Sequence, residues 1–71
     1  MSFSEFVNHI RLQKAKEMLY NTDKTIAEIA YDTGFTTVTY FNRLFRRTFK
    51  CTPKSMRKNH DVTFQKKLFK M

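Results

Sequence analysis

A chain of 71 residues allows one small domain with a modest core. Fourteen Lys and Arg against six Asp and Glu leave a net charge of +8, which predicts a polyanionic partner held less tightly as salt rises. A single cysteine excludes an internal disulfide, no apolar run approaches membrane-spanning length, and the N-terminus lacks a signal-peptide block. A cytoplasmic protein with no membrane partner is therefore expected.

The first predicted element is a long helix over Ser2 to about Tyr20. Ser2 and Glu5 have capping-box spacing, and Leu12 to Leu19 are nearly all good helix formers. At roughly 100° per residue, Phe3, Phe6, Val7 and Ile10 fall on one side, whereas Leu12, Ala15, Met18 and Leu19 fall on a different one. The later face can close over the helix-forming segments downstream. The earlier face has no evident partner in this sequence, so the expectation is that it packs on something N-terminal to it. The tail, with Phe64, Leu68 and Met71 at i, i+4 and i+7, is a substitute cover from the same chain or a neighbour.

Thr25 to Arg47 reads as two short helices and one tight turn. Thr25 and Glu28 repeat the capping-box spacing, and Ile26, Ile29 and Ala30 make a narrow apolar stripe. Gly34 is the only glycine in the chain and stands just past the last periodic position, where positive φ is common. Phe35 plugs the corner, and Thr36 or Thr37 caps the next helix. In that helix Phe41, Leu44, Phe45 and Phe49 form the buried stripe. Val38, Thr39, Asn42, Arg43 and Arg46 share another face. Its methyl, hydroxyl, amide and guanidinium groups are the types that read base edges in a major groove.

The last element starts at Thr52-Pro53, a plausible N-cap followed by the first helical position. It runs to about Asn59 with Met56 inward, and Lys54, Arg57 and Lys58 are candidate phosphate neighbours. Residues 60–71 are read as a basic tail, whose apolar spacing allows a helix. The charge is uneven: residues 1–42 sum to −1 and residues 43–71 to +9, so the excess begins inside the second helix of the turn. The bland alternative, a solvated helix face followed by a solvated tail, fits Lys66, Lys67 and Lys70. It does not fit Arg43, Arg46, Arg47 and Lys50, which belong to the periodic segment.

Other function classes find less support. His9 and His60 are far apart with no ligand-like set, so no metal and no cofactor is expected. No motif suggests an activated nucleophile, and one glycine cannot build the usual phosphate-cradling loop. The chain is not expected to be an enzyme. A protein–protein docking module using the apolar face of residues 3–10 is the main rival to DNA binding. A basic amphipathic membrane binder is weaker, because its cations would have to lie opposite one continuous apolar face.

Four stretches together carry a family resemblance: F-x-x-x-I-R-L-x-K-A-K-x-M-L, T-I-A-E-I-A-Y-D-T-G-F, T-Y-F-N-R-L-F-R-R and T-P-K-S-M-R. Over about residues 2–58 the chain resembles the C-terminal DNA-binding region of AraC/XylS-type transcription regulators. The resemblance implies an all-α, homeodomain-like small bundle. Residues 1–59 would form a partial domain, with 2–20 the linker helix, 25–47 the second helix-turn-helix unit and 53–59 a final helix. The family's first helix-turn-helix unit has no counterpart here, and an intact regulator would add a sensing or response domain.

By the same resemblance, Val38, Thr39, Asn42 and Arg43 face bases and Arg46 and Arg47 lie near the backbone of double-stranded DNA. Lys50, Lys54 and Arg57 complete the expected phosphate set, with a backbone contact at Thr25 where its helix begins. The family usually has glycine where Lys50 stands, which implies a strained or reshaped helix end, and often tyrosine where Met56 stands. A core this small is marginal alone, so a homodimer through residues 3–10 or the tail is a candidate arrangement.

Overall fold

The structure, a computed structural model, describes residues 1–59. Among them are four helices: α1 (Phe3–Asn21), α2 (Ile26–Asp32), α3 (Val38–Phe49) and α4 over residues 53–59. The predicted tail and its role as a cover lie outside the described residues.

Local chemistry sets each boundary. The Ser2 hydroxyl accepts from Glu5 N–H at 3.1 Å to start α1. Thr22 stops it by folding its own hydroxyl and amide back onto the Met18 carbonyl at 2.7 and 3.0 Å. At Thr25 the capping box closes in both directions with Glu28, satisfying two amides that the first turn of α2 would otherwise leave without partners. Thr37 rather than Thr36 caps α3, accepting from Tyr40 N–H at 3.1 Å. Thr52 caps α4 through Ser55 N–H, with Pro53 in the first helical turn.

The α2–α3 corner is built by Gly34. Its φ of +102° lets two bonds form behind the helix, Gly34 N–H to the Tyr31 carbonyl and Phe35 N–H to the Ala30 carbonyl. That is the paired geometry by which a helix satisfies its last carbonyls while reversing direction. Phe35 is thereby driven into the core. The end of α3 uses the same left-handed region without a glycine: Lys50 has φ 63° and ψ 18°, and its N–H donates to the Arg46 carbonyl at 2.9 Å. The expected departure at this position is thus seen in the backbone.

The core is Leu12, Ala15 and Leu19 from α1, Ile29 and Ala30 from α2, Phe35 from the corner, and Phe41 and Phe45 from α3. Ala15 and Ala30, both fully buried, have side chains small enough for close packing of α2 on both α1 and α3. Rings run through this core in sequence, Phe35–Phe41 at 5.1 Å, Phe41–Phe45 at 5.6 Å and Phe45–Phe49 at 4.6 Å, all in tilted or edge-on arrangements that aromatic quadrupoles favour. Leu44 and Phe49, expected in the buried stripe, are only half-buried. Phe49 meets the Lys16 ammonium, 5.4 Å above its ring. Met56 is likewise half-buried against the core.

The early face of α1 stays open. Phe3 is 82% exposed, Phe6 53% and Ile10 50%, while Leu12, Ala15 and Leu19 on the other side are buried. The two apolar directions read from periodicity are both present, and only the second is covered by the described residues.

Candidate nucleic-acid interface

Burial of Phe41 and Phe45 fixes which way α3 turns its other side. With those rings inward, Thr39, Asn42, Arg43, Arg46 and Arg47 are exposed and Val38 is half-buried at the foot of the helix. Helix α3 extends two residues beyond the predicted end at Arg47, to Phe49. Its axis is held by the aromatic core and by Asn8 of α1, whose amide donates to the Tyr40 hydroxyl at 3.3 Å.

Val38, Thr39, Asn42, Arg43 and Arg46 line one wall of a concavity of about 610 Å³. Ile26 at the start of α2 and Thr52, Pro53 and Lys54 at the start of α4 line the other. The lining contains three cations and no carboxylate, so its field favours an anion. Nothing in the sequence singles out Ile26 or Pro53 as lining a concavity. Each looks like a core or capping position in its own segment, and only the packing of α2 and α4 beside α3 brings them to this wall.

Arg57 and Thr25, both expected at phosphates, have hydrogen-bond partners among the described residues. The Arg57 guanidinium is half-buried and donates from Nε to the Leu19 carbonyl at 3.1 Å and from one Nη to the Thr22 carbonyl at 3.2 Å. It covers the last carbonyls of α1, where a cation also suits the helix dipole. At Thr25 the amide donates to Glu28 Oε1 at 3.3 Å and the hydroxyl donates to the same oxygen at 3.0 Å. The amide and the hydroxyl of Thr25 are thus both engaged in the cap. Lys50 and Lys54 are exposed.

Lys24 Nζ meets Asp32 Oδ2 at 2.6 Å across the exposed side of α2, and the hydrogen bond and attraction of Asp32 raise the Lys24 pKa above its usual 10.5. Among the described residues no group of His, Cys, Asp and Glu could hold a metal ion, and no helix is long and apolar enough to cross a membrane.

A family model described as a helix-turn-helix domain matches residues 1–59, most of the chain. The chain belongs to this AraC-type family. Similar relatives are HTH-type transcriptional activators named RhaS, 38% identical over 60 residues in both Enterobacter sp. (strain 638) and Salmonella newport (strain SL254). The match takes in 84% of this chain and 22% of each relative, so the chain spans about a fifth of their length. A solved structure, the C-terminal domain of the two-component response regulator yesN from Fusobacterium nucleatum, superposes with a TM-score of 0.77 at 35% identity. It covers 80% of this chain and 55% of that one. As an AraC-type helix-turn-helix domain, the chain is a DNA-binding part of a transcription regulator and not an enzyme.

Proposed function

We propose that α3 enters the major groove of double-stranded DNA and reads its sequence. Asn42 and Arg43 carry most of the discrimination, with Thr39 and Val38 adding to it, and Arg46, Arg47, Lys50 and Lys54 hold phosphates. The observation that carries this reading is the exposure of Asn42 and Arg43 on one side of a helix whose opposite side is locked into the core. An amide pairs one donor and one acceptor with adenine, and a guanidinium two donors with guanine, each pairing contributing about 1–3 kcal/mol of discrimination.

Selection of bound duplexes from a random library at two salt concentrations tests it. A defined half-site is expected, with affinity that falls steeply with salt. Arg43→Ala and Asn42→Ala should each relax preference at a defined base pair, by about 1–3 kcal/mol. Salt-dependent binding without any enriched sequence would refute base reading and leave a generic cation.

A second reading concerns the open face of α1. Phe3, Phe6 and Ile10 offer apolar surface for docking, and the chain's small share of the RhaS relatives fits a larger cytoplasmic regulator with a further helix-turn-helix unit and a sensing or response domain. A homodimer through the same face is the competing arrangement. Phe6→Ser with Ile10→Ser separates docking from reading, since it should abolish association while leaving the base preference of the domain intact.

A further inference from the structure

Arg46 and Arg47 are neighbours in sequence but serve two different surfaces, because successive residues of a helix point roughly 100° apart. Arg46 lines the concavity with Val38 and Asn42. Arg47 lines a second crevice, of about 360 Å³, between α3 and the first half of α1. Leu12 and Leu44 are buried and half-buried in the lining of that crevice, and Glu5 of α1 is exposed on it. A carboxylate from one helix and a guanidinium from the other thus border one small space. A compact space of that volume is narrower than the roughly 10 Å over which charges act on one another at 0.1 M salt. Neither side chain makes a hydrogen bond or ion pair to another described residue, so the guanidinium is close to the carboxylate without being locked to it. The part Glu5 plays in starting α1 goes through its backbone amide, which donates to the Ser2 hydroxyl.

We propose that Glu5 competes with DNA phosphate for the Arg47 guanidinium, and so lowers the affinity of the domain for any duplex without changing the sequence it prefers. The proposal rests on Arg47 holding a phosphate while α3 lies in the groove. The concavity that Arg46 lines contains no carboxylate, so Arg46 meets a phosphate without giving up an internal attraction. Arg47 gives one up, and part of what it gains at the phosphate is offset by what it leaves at Glu5. A phosphate contact carries no sequence information, so the competition scales affinity for selected and random duplexes by the same factor. Both side chains are exposed, so water weakens the attraction and the factor is small.

The test uses the full chain, a duplex enriched from a random library and a random-sequence duplex of equal length. Glu5→Gln keeps the side-chain length and the capping chemistry of the first turn, and thermal unfolding checks that every variant folds. At low salt Glu5→Gln should bind both duplexes roughly two- to fourfold tighter than the wild type. Its slope of log affinity against log salt should steepen by part of the roughly 0.9 that one full phosphate contact contributes. Arg47→Met should weaken binding to both duplexes. Added to Arg47→Met, the Glu5→Gln change should have no effect, whereas added to Arg46→Met it should keep its full gain.

If Glu5→Gln gains the same factor with Arg47→Met as without it, the carboxylate merely repels the duplex at large and the competition is overturned. No gain from Glu5→Gln alone, or a changed base preference, overturns it as well. Each of these results leaves the phosphate contact standing as long as Arg47→Met lowers both affinity and salt slope. If Arg47→Met changes neither, that contact fails and takes the competition with it.

Discussion

Lys50 holds a backbone conformation that its side chain makes costly, and it stands where two effects can be pulled apart. At φ 63° a non-glycine residue crowds its own Cβ against the carbonyl, a cost on the order of 1–3 kcal/mol. Glycine removes the crowding but raises the entropy of the unfolded chain by about 0.4–1 kcal/mol. The balance predicts that Lys50→Gly is more stable than Lys50→Ala by about 1 kcal/mol, or roughly 4–8 °C in Tm for a domain of this size. Alanine is the proper reference because both variants lose the ammonium, which itself suits the C-terminal end of α3 by a few tenths of a kcal/mol or more. Both variants should also lose the same phosphate contact, lowering the slope of log affinity against log salt by about 0.9. Thermal unfolding and a salt titration of DNA binding measure the two separately. Equal Tm values for the glycine and alanine variants would refute the argument from strain. Different salt slopes would refute the claim that the side chain acts only through its charge.

Three further outcomes are expected from the packing. Gly34→Ala should destabilise the domain by roughly 2 kcal/mol through its φ of +102°; the added Cβ would stand 3.0 Å from Arg11 Nε, a mobile contact, so adding Arg11→Ala should not restore the lost Tm. Arg57→Met should cost about 1.5–3 kcal/mol by uncovering the carbonyls of Leu19 and Thr22, yet leave the salt slope of DNA binding unchanged, whereas a phosphate contact would lower it. The raised Lys24 pKa means the folded state holds that proton more tightly than the unfolded chain. The stability difference between wild type and Lys24→Met, followed by denaturant titration, should therefore hold from neutral pH up to about pH 10.5 and vanish as the pH climbs through the raised folded value.

Much of the fold is legible in the sequence because its signals are local. Thr25 and Glu28 sit three residues apart, Gly34 follows the last periodic position of α2, and Thr52 precedes Pro53; each governs bonds within its own turn. The two faces of α1 are legible because rotation per residue is nearly constant along a helix. The reading face is legible for the same reason, once Phe41 and Phe45 are assigned inward. The parts that escape are those the chain brings together from afar. Arg57 looks like another surface cation beside Lys54 and Lys58, and nothing within its turn reveals that two carbonyls 35 and 38 residues earlier receive its guanidinium. Thr25 reads as a cap, and Glu28 takes both its amide and its hydroxyl. Ile26 and Pro53 reach the concavity only because three helix segments converge there.

The run of rings from Phe35 to Phe49 limits how this domain can adapt to different operators. Rolling the helix about its long axis would force four neighbouring aromatic side chains to repack together, an all-or-nothing event with no shallow intermediate. On the proposed reading, tolerance of altered base pairs comes from the swing of individual side chains at 39, 42 and 43 and from bending of the duplex. Mutations that broaden specificity should accordingly collect on that outer surface, while those among the phenylalanines should cost folding before they change which sequence is bound.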